Sequence, residues 1–385
     1  MKTSTKGEAM KIQGITIFLI LFLLLLIPIY KSDAAETTET KIITLLQTGQ
    51  YTQLDSIMNR LEKAYKKNFL KEQEAEKAYY AFGRKNPSHE KYYNDWVAKD
   101  PNSPFAYLAR AEFYSAMGWK SRGNDFADET SESQFNEMRY YFEKATRDVK
   151  EALKLNPKIV HSYITLIQLS KTMSLDAGPI VEKALAINPY SLRVREVYIL
   201  NLLPRWGGSI QAMEDFIAQA RPYYKKNPNL KVLEGRVLAE KGDQARIYDK
   251  NYDKALEYYD AALKHGDYFL TLKSKGSIHL WKKNYCDAFD AYKRALRSNP
   301  FNVDVLAGCA RCAYYLGDKQ AAYKYAHEVL DIDPDHAGAH NIVGLSYKEL
   351  GKLKEAEREF RKAVELKPAD KAYKRNLDSV KSPSF

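Results

Sequence analysis

Three prolines, Pro300, Pro334 and Pro368, stand 34 residues apart, and other positions keep the same interval. Ala288, Ala322 and Ala356 keep it, as do Gly276, Ala310 and Gly344, and Ala295, Val329 and Ala363. A period of this length marks one small structural unit repeated in tandem. One such unit cannot bury its own apolar face, so neighbours must stack. Within each unit a small residue comes first, then an alanine, then the proline. That order predicts two antiparallel helices. The small residue lets the backbones approach, and proline ends the second helix because it lacks an N–H and clashes with the preceding turn. No segment shows the period-two alternation of a strand.

The last unit shows the pattern in full, with Gly344, Tyr347, Gly351, Ala356, Phe360, Ala363 and Pro368. Residues 269–370 resemble three consecutive tetratricopeptide repeats (TPRs). The resemblance implies an all-α, right-handed solenoid of helical hairpins, and residues 371–380 are polar enough to close it with a cap helix. Upstream the pattern loosens. Tyr252, Ala255, Tyr259 and Ala262 predict a second helix, with its first helix at 229–241 and an insertion at 242–251. Ala145, Val149, Ala152 and Pro157 have second-helix spacing, and so do Ala177, Val181, Ala184 and Pro189. Ile43, Leu46, Leu54, Ile57 and Leu61 place polar-faced helices at 41–82. In the six Tyr-Tyr pairs, one ring of each pair is expected to face the core and the other the surface.

Residues 15–30, ITIFLILFLLLLIPIY, form one apolar run behind Lys2, Lys6 and Lys11. A basic segment before such a run is the pattern of a secretory signal, and Ser32-Asp33-Ala34 offers small residues for cleavage. The alternative is an uncleaved anchor, with residues 12–30 approaching the length of a span. Residues 1–34 are therefore read as a signal peptide or N-terminal membrane anchor helix. Both readings place the body in the periplasm or cell envelope, touching membrane only through residues 12–30 if uncleaved. The formal net charge of +11 is dispersed with both signs interspersed, which argues against nucleic acid as a partner. Three cysteines cannot build a disulfide framework.

Two elements mark the N-terminal half, WVAKDPNSPFAYLARAEFYSAMGWKSRG at 96–123 and LLPRWGGS at 202–209. Together they resemble a bacterial family of helical proteins known only as a domain of unknown function, over roughly residues 41–240. The resemblance implies a bacterial origin and an all-helical body, and brings no reaction with it. The expected division is 1–34, then a helical domain at 41–248, then the TPR array with its cap at 249–385. In the second element Gly207 or Gly208 suits a left-handed helix stop and Ser209 a helix cap. Trp206 would plug the gap beneath that turn. A functional alternative brings Trp119, Arg122, Arg205 and Trp206 together in a pocket for a small ligand or glycan. The polar stretch 124–136 is expected to be a surface loop.

No nucleophile elbow, Walker loop, dinucleotide-binding glycine motif or HExxH occurs. Cys309 and Cys312 form a CxxC inside a predicted helix, where packing thiols are expected. His336 and His340 lack a third metal ligand. Asp331, Asp333 and Asp335 are read as cap and solvent residues. No cofactor, metal or catalytic residue is expected. In TPR arrays the first helices line a groove, and the resemblance places Leu270, Lys273, Ser277 and Trp281 there. Asp304, Arg311, Tyr314 and Tyr315 follow from the next unit, and Asn341 and Lys348 from the last. Lys273 suits the family's clamp for a peptide carboxylate, but Ser277 and Gly308 stand where asparagine is usual. The leading expectation is an exported, non-enzymatic scaffold for a protein or peptide partner. The alternatives are a small-ligand or glycan module and an enzyme with an unrecognised site. A scaffold predicts no pocket of clustered, shifted titratable groups, whereas an enzyme predicts one.

Overall fold

The computed structural model describes residues 37–123 and 129–381. The expected signal or anchor at 1–34 lies outside the described residues. Among the latter, no helix is long and apolar enough to cross a membrane, and every regular element is helical.

The N-terminal part begins with α1 (Thr38–Gln47), α2 (Tyr51–Lys67), α3 (Glu72–Tyr80) and α4 (Glu90–Lys99). A long hairpin follows, α5 (Pro104–Arg122) and α6 (Glu132–Leu155). Ser103 opens α5 by accepting the Ala106 N–H, with Pro104 at the first position, where no donor is needed. Ser131 and Gln134 form a reciprocal capping box on α6. The chain is thus helical from Glu132, and residues 132–136 are not the expected loop. A shorter hairpin comes next, α7 (Val160–Ser170) with α8 (Ala177–Ile187), and then α9 (Leu192–Ile199) and α10 (Ile210–Ala218), joined through two 3-10 turns at Leu200–Leu202 and Pro204–Trp206. Pro157 and Pro189 stand just beyond the ends of α6 and α8, as their spacing predicts.

The repeats proper are α11 (Arg236–Ile247) with α12 (Tyr252–Leu263), and α13 (Phe269–Trp281) with α14 (Tyr285–Leu296). Then come α15 (Val303–Tyr315) with α16 (Lys319–Ile332), and α17 (Ala337–Glu349) with α18 (Leu353–Leu366). The cap helix α19 (Lys371–Asp378) closes the array. Residues 242–247, expected in an insertion, are the second half of α11. Gly242 stands 34 residues before Gly276, and a methyl group on it would lie 2.5 Å from the Tyr259 ring. Gly276 meets Tyr292 at 2.6 Å and Gly344 meets Phe360 at 2.7 Å in the same way. The expected boundary at 248/249 therefore cuts a hairpin between its two helices. Gly118 on α5 meets Phe142 on α6 at 2.5 Å, so the N-terminal hairpin uses the same packing.

The segment after α3 returns to the repeats. Lys85 N–H donates to the Ile332 carbonyl at 2.8 Å. Arg84 donates to the Asp331 carbonyl and stacks over Phe301. Lys120, within the WKSRG element, pairs with Asp333 at 3.1 Å and Asp335 at 2.8 Å. The N-terminal part is thereby tied to the turns between successive repeats. Asp333 and Asp335, read as solvent residues, are two of the ties.

Candidate functional site

Of the residues expected to line a groove on the first helices of the repeats, not all stay open. Asn341 accepts from Asn376 at 2.7 Å, and Lys348 donates to Ser379 at 2.7 Å. The cap helix and the residue that ends it therefore cover the far end. Lys273 is spent on an ion pair with Asp304 of the next repeat, whose carboxyl is held below the usual range. Burial opposes that shift, and the Lys273 charge outweighs it. Leu270 and Tyr314 are half-buried, while Ser277 and Arg311 are exposed. The Arg311 guanidinium has no ion pair or hydrogen bond among the described residues. Trp281 and Tyr315 lie elsewhere, at the last residue of their helices. Each packs on the first residue of the preceding second helix, Trp281 on Tyr252 at 4.7 Å and Tyr315 on Tyr285 at 4.6 Å.

The proposed meeting of Trp119, Arg122, Arg205 and Trp206 does not occur. Trp119 packs edge-on against Phe142 within the α5–α6 hairpin. Arg122 sits at the end of α5, where its carbonyl accepts from Gln134. Arg205 lies 3.6 Å from both Glu240 and Asp243 on α11. Trp206 does not plug its turn: it is 62% exposed, with Lys171 over its ring. The two tryptophans belong to different elements, Trp119 to α5 and Trp206 to the connection between α9 and α10, where it lines a small cavity with Lys171 and Tyr198. The bland part of the reading holds: Gly207 is left-handed at φ 87°, and Ser209 caps α10.

Cys309 and Cys312 are free, fully buried thiols. Burial raises both, Cys312 to about 11 and Cys309 further, so neither is a ready thiolate. His336 caps α17, and His340 is held between Glu359 and the Pro334 carbonyl. Among the described residues no group of three His, Cys, Asp or Glu is placed to hold a metal.

The structure adds a site the sequence did not indicate. A cavity of about 570 Å³ lies where α3 and α9 face the turns 265–270 and 294–299. Glu72, Glu76, Tyr80, Arg193 and Glu196 line its inner wall. Behind that wall His161 is 4% exposed, bonded to Glu76 at 2.9 Å and to Glu112 at 3.0 Å. Its ring stacks on Tyr79 at 3.6 Å. Burial disfavours the imidazolium, but the two carboxylates outweigh it and raise its pKa to about 10. Burial raises Glu72 to about 7, even though Ser191, Leu192, Arg193 and Tyr65 donate to it. Glu76 Oε2 and Arg193 Nε lack hydrogen-bond partners and face each other at 3.5 Å. The partners of His161 lie 85 and 49 residues away. The available signal was a histidine at the second position of a helix that carries no Asp, Glu, Lys or Arg.

A succession of packed helical hairpins defines a helical-repeat protein. Family profiles described as "Tetratricopeptide repeat" match residues 244–303 and 337–370. The "Domain of unknown function (DUF4034)" matches residues 38–176 and 180–222. The chain therefore carries TPRs behind a DUF4034 domain. It is 27% identical over 110 residues to small glutamine-rich tetratricopeptide repeat-containing protein 2 of Mycosarcoma maydis, covering 29% of this chain and 31% of that one. It is 30% identical over 109 residues to heat shock protein STI1 of Saccharomyces cerevisiae, covering 28% and 18%. The chain thus spans less than a third of the curated relatives it matches. Among solved structures, YrrB, titled a TPR protein with an unusual peptide-binding site, is 16% identical. It aligns over 60% of this chain and 97% of its own with a TM-score of 0.32.

Proposed function

We propose that the protein is an exported, non-enzymatic scaffold whose repeats hold a protein or peptide partner in the bacterial cell envelope. The observation that carries the binding reading is Arg311. It stands exposed on the first helix α15, seven residues on from Asp304 of the Lys273–Asp304 pair, with no ion pair among the described residues. An acidic side chain or terminal carboxylate of a partner suits it, because guanidinium binds carboxylate through two parallel hydrogen bonds. Export rests on the apolar run at 15–30 behind its lysines.

Arg311→Glu should abolish capture of the partner from envelope extracts while melting like the wild type. Tyr140→Ala, an exposed aromatic change on α6, should leave capture intact. Full capture by Arg311→Glu would remove the groove from consideration. A reporter enzyme active only outside the cytosol, fused after residue 385, should be active. A stable but inactive fusion would end the export reading.

The cavity supports a second reading, a small-ligand module at Glu76, Arg193 and Glu196 instead of at the tryptophans. Clustered, shifted titratable groups in a concavity are what that reading, or an enzyme, predicts. The pairing of His161 with Glu76 and Glu112, and of Arg193 with Glu196, supports a structural role for most of them.

A further inference from the structure

Seven of the eleven large apolar residues exposed among the described ones fall at the passage from one helix to the next. Six stand where the first helix of a hairpin turns into the second, in the four consecutive hairpins from α11–α12 to α17–α18, and Trp206 stands in the connection between α9 and α10. Trp206 is 62% exposed, Tyr248 62%, Trp281 67%, Tyr315 56% and Leu350 68%. Leu316 and Leu353 flank the last two turns. Consecutive hairpins put their turns on one edge of the solenoid, so the six side chains at hairpin turns form a row along it. Trp119 stands apart from the row, because its neighbour Lys120 reaches the turns between repeats.

Cations share the edge. Lys250, Lys283, Lys352 and Lys354 are exposed, and none is in an ion pair among the described residues. Three acidic residues of these turns are engaged. Asp253 pairs with Lys282, Glu349 pairs with Lys319, and Asp318 caps α16. Asp249 and Glu355 have no ion pair among the described residues, and Asp287 only approaches His279 at 3.9 Å. Lys250 and Lys283 hold left-handed backbone, at φ 54° and 63°, where the next two repeats have Gly317 and Gly351. A lysine there is strained in a way glycine is not.

We infer that this edge is a docking surface for the anionic headgroup layer of a lipid bilayer. Three observations select that occupant. The side chains stand on successive turn tips in a line and not around a concavity, which fits an extended surface better than a peptide. Tryptophan and tyrosine are the side chains that settle at headgroup depth, with the ring in the apolar boundary and its polar group in water. The unpaired lysines complement anionic headgroups.

Fluorescence of the full chain tests this. Tryptophan occurs only at 96, 119, 206 and 281, so the apolar run at 15–30 is silent whether or not it inserts. Trp96 is fully buried. Vesicles of phosphatidylcholine with brominated phosphatidylglycerol should quench the emission, and Trp281→Phe should remove much of that quenching. Lys250→Gly and Lys283→Gly should each weaken vesicle binding roughly fivefold, near the value of one surface lysine. High salt should weaken it further. Brominated phosphatidylcholine alone should quench little. Unquenched emission with anionic vesicles, or equal quenching by neutral ones, would overturn the inference. Cross-linking of residue 281 to a protein with no vesicle effect would overturn it in favour of a protein interface.

Discussion

Lys283 illustrates how a single backbone angle carries information that residue type alone does not. Its φ is 63° and that of Lys250 is 54°, and the corresponding turns further on use Gly317 and Gly351. Replacing Lys283 by glycine should therefore stabilise the fold, by about 1 kcal/mol, the typical cost of left-handed backbone for an L-residue. A raised denaturant midpoint at unchanged slope would show it. A lowered midpoint would mean that the lysine makes contacts that outweigh its strain. His161 gives a second test at this scale. Its pKa is raised from 6.5 to about 10, so its contribution is complete below pH 6.5 and is lost as pH rises toward 10. Glu72, raised from 4.5 to about 7, acts in the same direction between those values. Melting temperature should fall as pH rises from 5 to 10, and His161→Gln should flatten the upper part of that fall. The same variant should cost about 3–5 kcal/mol at pH 6, because it leaves buried carboxylates without their cation. None of this was legible beforehand, since Glu76 and Glu112 reach His161 only through the tertiary fold.

Helices were the most readable level, because the 34-residue interval fixes where the first helix of each hairpin carries the small residue that lets the second pack close. The intervals at Gly276, Ala310 and Gly344 gave three hairpins correctly. The preceding hairpin was misread for a physical reason. No proline follows α12, which ends instead at Lys264, and the following Gly266 has φ 136°. Without that marker, the stretch 242–251 looked like surplus chain. Gly242 was the available signal, one period ahead of Gly276. A methyl group there would lie 2.5 Å from Tyr259 and 3.2 Å from the Ala255 carbonyl. Gly242→Ala should therefore destabilise by about 1–3 kcal/mol despite alanine's higher helix propensity. Adding Tyr259→Leu, which removes the ring, should recover part of the loss. The candidate site was legible only in outline. Sequence spacing assigns residues to first helices, but it does not reveal that α19 covers Asn341 and Lys348. Nor does it separate a groove position from a helix end, where Trp281 and Tyr315 lie.

At the scale of the whole molecule, the N-terminal part and the turns between repeats are tied by a set of polar contacts beside Phe301, which packs against the N-terminal apolar core. Lys120 is central to them. It pairs with Asp333 and Asp335 and donates to the Lys85 carbonyl, beside the Lys85–Ile332 backbone bond. Its side chain is only 21% exposed and that of Asp333 12%, so removing the ammonium leaves a largely buried carboxylate unpaired. The cost should fall on this seam and not on the hairpins, whose cores are apolar and fully buried on both sides of it. Lys120→Ala should therefore speed amide exchange at Lys85 roughly tenfold or more, the effect of about 1.4 kcal/mol in local opening. Exchange within α13 and α14 should stay unchanged. The cavity is bounded on one side by α3 and on the other by the repeat turns, so it should widen in the same variant. Faster exchange at Gln73, whose side chain bonds the Arg297 carbonyl across that gap, would register the widening. If Lys120→Ala leaves exchange at Lys85 unaltered, the tie depends on Arg84 and its packing on Phe301 instead. Arg84→Ala would then carry the effect assigned to Lys120.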